Sequence, residues 1–302
     1  KVPRQGGVAS VGFDQPRRWA DYRRAGFDVL AIPCHDWGPI VPYYTRYTVP
    51  NTLAMIRDAV RYDCPGVINS HWASFHCPLP LQDYGIALTA DRAWKTSAVP
   101  DARDFDEAYC RLKLGLSDRT FLEALYQMDG MLEMPTNLGR GVHLPYWYYM
   151  DAVLHYPNGH ADRLKYGPAA PLEDVDYRSI AQKKLALLAK SQVREASLRG
   201  LERIRDQSAA ARRLLDGIKR HTRRSRDLFD LVVWLAEFRQ HAAERMLALA
   251  HGNVRAQRSR LVSRSRQLRA SMRNVYGRFM DSRDCAVEEA SLFDGEEALL
   301  RS

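Results

Sequence analysis

The sequence predicts two fold classes in series: an α/β segment that reads as the last three or so strand–helix units of a (β/α)8 barrel, followed by an all-α helical domain. Three observations carry this. Over residues 1–95, short apolar strands alternate three times with amphipathic helices, the pattern of a sheet built from parallel strands. From about residue 103 the apolar spacing is helical almost throughout. Charge also divides along the chain: residues 1–175 hold 18 Lys and Arg against 20 Asp and Glu, whereas residues 176–302 hold 27 against 16. The boundaries that follow are 1–102 for the barrel portion, 103–175 for a helical, aromatic-rich connection, and 176–302 for a basic helical domain.

Val8 to Phe13 alternates as a strand and ends at Asp14. Arg17 to Ala25 reads as a helix closed by Gly26, a residue favoured just past a helix end. Phe27 to Ile32 is a second strand, apolar enough to be covered on both faces. Asn51 is placed to cap a helix running to Tyr62, with Leu53, Ile56 and Val60 on one face. Gly66 to Ser70 is the third strand, and Tyr84 to Lys95 a helix with Ile86, Ala90, Ala93 and Trp94 as its apolar face. Helices are then expected at Phe105–Leu114 and Arg119–Leu132. After the Gly-, Pro- and Tyr-rich stretch from Pro135 to Pro171, long helices run from Tyr177 to about Ala250, broken near Gly217 and Gly252, and then from Val254 to about Arg283. The acidic stretch from Glu288 to Glu297 reads as a solvated end.

With 46% apolar residues a packed core is expected. No run of eighteen apolar residues is present, so no membrane span is predicted. The five cysteines form no Cys-x-x-Cys pair; they read as isolated thiols, lean towards a reducing compartment, and supply no metal set. No cofactor is expected. Lys1 opens the chain without a leader, and the reading is of a sequence cut short upstream, which leaves localisation unknown. A half barrel with open strand edges is expected to aggregate without its missing half.

Barrels carry their chemistry at the carboxyl ends of the strands. Here those ends hold Asp14, then His35, Asp36 and Trp37, then His71, Trp72, Ser74 and His76, with Tyr43, Tyr44 and Tyr47 in the loop after the second strand. Such a rim suits a carbohydrate or another small molecule. Plainer roles stay open: Trp72 as core filling, the histidines as loop residues bonded to backbone, Asp36 as a turn cap. Three histidines near Asp36 lack the spacing of a metal site.

Four segments, Trp19 to Phe27, Pro50-Asn51 opening a helix, Gly66-Val-Ile-Asn-Ser-His-Trp72, and Pro78-Leu-Pro80 through Ala87 and Ala90 to Trp94, resemble glycoside hydrolase family 20 and its hexosaminidase D-like branch. The resemblance covers roughly residues 8–95. It implies a β-N-acetylhexosaminidase acting on N-acetylhexosamine-containing glycans by retaining, substrate-assisted hydrolysis. In that scheme the 2-acetamido group is the nucleophile and an Asp-Glu pair orients it and protonates the leaving oxygen. Trp72 matches the pocket floor, on which the sugar ring stacks. Ser74 stands where better-known members carry a carboxylate. His35 and Asp36 occupy the acetamide-holding region without reproducing its Tyr-then-Asp pattern, and Asp14 matches an acidic residue after the sixth strand only approximately. No adjacent Asp-Glu follows any strand in residues 1–95, and Asp106-Glu107 falls in a predicted helix. The pair is therefore expected upstream of Lys1. Without it, the chain is a sugar-binding relative that does not hydrolyse.

In the basic half, Leu228, Leu231, Val232, Leu235 and Phe238 form one apolar stripe with Trp234 beside it. Arg-rich runs at 219–224 and 255–273 read as opposite, solvated faces, with Glu244 and Asp227 in i,i+4 reach of Arg239 and Arg223. No groove-reading motif accompanies the charge, which argues against nucleic acid. The helices are expected to pack on the barrel or on a second copy of the chain, giving a homo-oligomer. A scaffold or polyanion-binding role for this half is the remaining alternative.

Overall fold

The computed structural model describes residues 16–33, 49–70, 79–95, 102–128 and 194–301, with isolated helical positions between 178 and 186. The chain divides into two units, Lys1–Asp129 with Arg220–Ser225, and Gly130–Lys219 with Arg226–Ser302.

In the first unit, helix α1 (Pro16–Arg24) ends at Gly26, whose φ of +88° lets the amides of Gly26 and Phe27 bond back to the carbonyls of Arg23 and Tyr22. Strands β1 (Leu30–Ala31) and β2 (Gly66–Val67) pair in parallel, Leu30 opposite Gly66, and helix α2 (Val49–Arg61) is the crossover between them. Asn51 lies inside α2, not at its cap. The face α2 buries is Thr52, Met55, Ile56 and Ala59, one residue round from the predicted stripe, and Val60 is exposed. Both strands are shorter than predicted, and only one face of the pair is covered. Ala31 is fully buried, whereas Leu30, Ile32 and Ile68 are 43%, 40% and 48% exposed. The predicted strand Val8–Phe13 lies outside the described residues. The architecture is therefore α-rich around a two-stranded parallel sheet.

A 3-10 turn (Leu79–Gln82) leads into α3 (Asp83–Trp94). Its buried face is Tyr84, Gly85, Leu88, Thr89 and Arg92, while Trp94 is 89% exposed, the reverse of the predicted apolar face. The reason is polar: Arg92 is buried because its guanidinium bonds Asp104, and Tyr84 because its hydroxyl bonds Asp106. Helix α4 (Arg103–Tyr109) continues as a π-helical turn (Cys110–Leu114), and α5 (Thr120–Met128) follows, close to the predicted positions. The turn stops at Gly115, in the left-handed region at φ +72°, where a Cβ would stand 3.3 Å from that of Arg223. The amides of Arg223 and Arg224 both donate to the Leu114 carbonyl, at 3.0 and 3.1 Å. The 219–224 run is thus not a solvated helix face: helix α6 (Arg194–Ile218) ends before it, and Arg223 and Arg224 cap the π-turn.

The second unit packs α6 (Arg194–Ile218), α8 (Val254–Tyr276) and α9 (Ser282–Arg301) around α7 (Arg226–His251). All five residues of the predicted stripe on α7 are buried. Trp234 is core as well: its ring stacks on Phe238 at 5.1 Å and its indole N–H donates to the Leu268 carbonyl at 3.0 Å. The acidic stretch is not a solvated end. It belongs to α9, whose Leu292, Phe293 and Leu300 are buried at helical spacing, and whose Glu289 and Glu297 are buried with them. Glu289 takes Arg269 and Arg273 of α8, with contacts from 2.5 Å, and Burial alone would raise its pKa; those two guanidiniums hold it below the usual carboxylate range. Glu244 pairs with Arg260 of α8 and Asp227 with Arg278 in the turn after it, so these carboxylates bond outside their own helix.

Candidate functional site

The ladder between β1 and β2 runs past the regular strands. Ile68 N–H donates to the Ala31 carbonyl at 2.8 Å and Ser70 N–H to the Pro33 carbonyl at 3.0 Å. Because the strands are parallel, both leave the sheet at the same end, and residues 33 and 70 stand about one strand spacing, ~4.8 Å, apart. The segments that continue from these two roots carry His35, Asp36, Trp37 and Tyr44 on one side and His71, Trp72, Ser74 and His76 on the other. These residues, and Asp14, lie outside the described residues. What is described is the platform: Pro33 buried, Ser70 half-buried, and Asn69 just before Ser70 in the chain. Both amide atoms of Asn69 are shielded from solvent and have no hydrogen-bond partner among the described residues.

Asp106-Glu107, the one adjacent acidic pair that sequence raised, is placed in α4 and is not a catalytic pair. Asp106 is buried, accepting the hydroxyls of Tyr84 and, at 2.8 Å, Tyr126, with Arg119 at 3.7 Å. Burial first, then the Asp106 charge, pushes both phenols well above their ordinary range, so they remain donors. Glu107 is exposed beside Arg103 at 3.7 Å. Successive helix residues diverge by about 100°, so the two carboxyls do not converge on one bond. The arrangement ties α3, α4 and α5 together.

In the second unit, His241 Nε2 lies 2.8 Å from Ser265 Oγ, and Arg245 donates to the same hydroxyl at 3.4 Å. The residue types suit nucleophilic catalysis, but the surroundings do not. Ser265 is fully buried, and His241 Nδ1 has no partner to orient it. Burial first, then Arg245, Arg264 and Arg260, drives the imidazole pKa from 6.5 down to about 2. The ring stays neutral in the fold while the unfolded chain takes a proton below pH 6.5. Stability from this site is complete above that pH and falls as pH drops towards 2, by up to about 1.4 kcal/mol per unit. His241→Gln is expected to remove this component, changing the gap between variant and wild-type unfolding free energies by about 2–3 kcal/mol from pH 7 to 4.5. Parallel curves in urea titrations at the two pH values would contradict it.

Cys110 and Cys285 are buried and Cys64 half-buried, all as free thiols, and burial pushes Cys110 up to about 12. Among the described residues no group of three or more His, Cys, Asp or Glu could hold a metal ion, and no helix is long and apolar enough to cross a membrane. Sequence reasoning missed a groove on α8, although its signal was visible: that helix holds seven arginines and no acidic residue. No protein-family model, curated protein or solved structure matches the chain.

Proposed function

We propose that the chain is the carboxy-terminal part of a (β/α)8-barrel β-N-acetylhexosaminidase of the glycoside hydrolase family 20 type, with the basic helical unit appended. One observation carries this reading: the β1–α2–β2 parallel crossover, whose ladder extends to Pro33 and Ser70. It brings Pro33 and Ser70, after which the two candidate rim segments follow in sequence, to the carboxyl edge of the sheet, the edge where such barrels carry their chemistry. On this reading Trp72 is the floor of the sugar pocket. His35, Asp36, Trp37, Tyr44, His71 and Ser74 line its wall, and Asp14 contributes from the preceding strand exit. The exposed Leu30, Ile32 and Ile68 suit a face that further barrel elements cover. The Asp-Glu pair that would activate the acetamide is not Asp106-Glu107, whose buried Asp106 is taken up by Tyr84 and Tyr126.

The test is release of the aryl group from an aryl N-acetyl-β-glucosaminide by the protein expressed from its natural start. Turnover is expected. Trp72→Ala should lower kcat/KM by about tenfold or more, the loss of one aromatic stacking face, with an unchanged melt. A well-folded protein with no turnover, but with N-acetylglucosamine binding that Trp72→Ala abolishes, would replace hydrolysis by sugar binding. Neither turnover nor binding would end the assignment.

A further inference from the structure

Arginines on α8 are treated unequally by the fold. Arg260 and Arg264 are paired with Glu244 and Glu237 of α7, at 2.8 and 3.0 Å. Arg269 and Arg273 are paired with Glu289 of α9, Arg269 also with Asp294. Arg255, Arg258 and Arg266 are exposed and make no hydrogen bond or ion pair among the described residues. At 100° per residue these three fall within one arc of about 80°, and Arg258 and Arg266 stand about 12 Å apart along the axis. Ser259, Val262 and Ser263 share that side of the helix.

Helix α9 runs antiparallel to α8, as the pairs Arg273–Glu289, Arg269–Asp294 and the buried Leu261–Leu300 contact require. It therefore brings Arg301 alongside. Arg258, Ser259, Val262, Ser263, Arg266 and Arg301 line a groove of about 650 Å³. The Arg301 guanidinium is paired with Glu297, at 2.8 Å, and remains exposed. Three guanidiniums with two hydroxyls between them offer planar donor forks to oxyanions at fixed intervals, together with donors for neutral hydroxyls. Three cations held this close repel one another, and an anionic occupant relieves that repulsion.

We propose that this groove binds a sulfated polysaccharide along α8. Two features favour a glycan over a nucleic acid. The groove has no aromatic side chain, so it offers no platform for stacking bases. The choice also rests on reading the first unit as an N-acetylhexosamine site, for which a sulfated hexosamine polymer is the anionic form of the same substrate class.

Heparin is the probe, titrated against the whole protein at stepped salt. The expected result is binding that weakens linearly with salt on a log–log plot. Arg258→Gln with Arg266→Gln should weaken it at least tenfold and flatten the slope by about two, with an unchanged melt because neither side chain is bonded. Arg203→Gln with Arg213→Gln removes the same charge from α6 and should change affinity less than twofold. Equal loss in both pairs, or no heparin binding, overturns the groove. Equally tight, groove-dependent binding of an RNA oligomer of matched charge overturns the choice of glycan. Heparin binding retained by a Trp72→Ala chain supports a separate site. Heparin binding with neither aryl-glucosaminide turnover nor N-acetylglucosamine binding sinks the pocket reading and leaves the groove standing.

Discussion

Replacing Asp106 by Ala is expected to destabilise the first unit by about 3–5 kcal/mol, the range for removing one partner from a buried charged network. Asp106 is 3% exposed and receives the hydroxyls of Tyr84 and Tyr126. Tyr84 is itself buried, at 2% exposure, so water cannot replace the lost acceptor at its hydroxyl. The ring cannot simply turn away, because it lies edge-on against Phe105 and Tyr109, at 5.5 and 5.2 Å. Tyr84→Phe removes a single donor and should cost about 1–2 kcal/mol. The double variant should cost clearly less than the sum, because each change removes the other's partner. Hydrogen exchange over residues 79–128 isolates this unit, and faster exchange there in Asp106→Ala is the expected readout. Additive losses, or protection equal to wild type, would mean that the network does not hold α3, α4 and α5 together.

Phe293→Ala should destabilise the second unit by about 3–5 kcal/mol through lost transfer energy and the cavity left behind. The ring is fully buried, edge-on to Phe238 at 5.5 Å, and lies under two guanidiniums, Arg245 at 5.4 Å and Arg269 at 5.9 Å. Arg245 is buried too and donates to the Leu292 carbonyl at 3.0 Å, so loosening α9 removes an acceptor from a buried cation. Exchange over residues 282–301 should rise first, since α9 is the element that the ring anchors. If that segment already exchanges freely in the wild type, and the melt does not move, α9 is not packed as described.

Periodicity was enough to place α1, α2, α4, α5 and the buried stripe of α7; of these, α2, α5 and α7 bury apolar residues at 3.6-residue spacing against a core. It also marked the two parallel strands, whose apolar runs flank a crossover helix. Composition alone divided the charge between the halves. It could not say which charges are solvated. Glu288 to Glu297 reads as a tail because Glu and Asp are costly to bury. Only the approach of Arg269 and Arg273 from α8 makes burial of Glu289 tolerable, and that partner lies 16 to 20 residues away in sequence. The same holds for α3, where hydrophobicity points to Trp94 and the structure buries Arg92 and Tyr84, each matched to a carboxylate of α4. Local sequence sets which faces are apolar and which backbone turns close a helix, as at Gly26. Tertiary structure chose the partners of the buried charges, and by using up four of the seven arginines on α8 it left the other three exposed on one side of that helix.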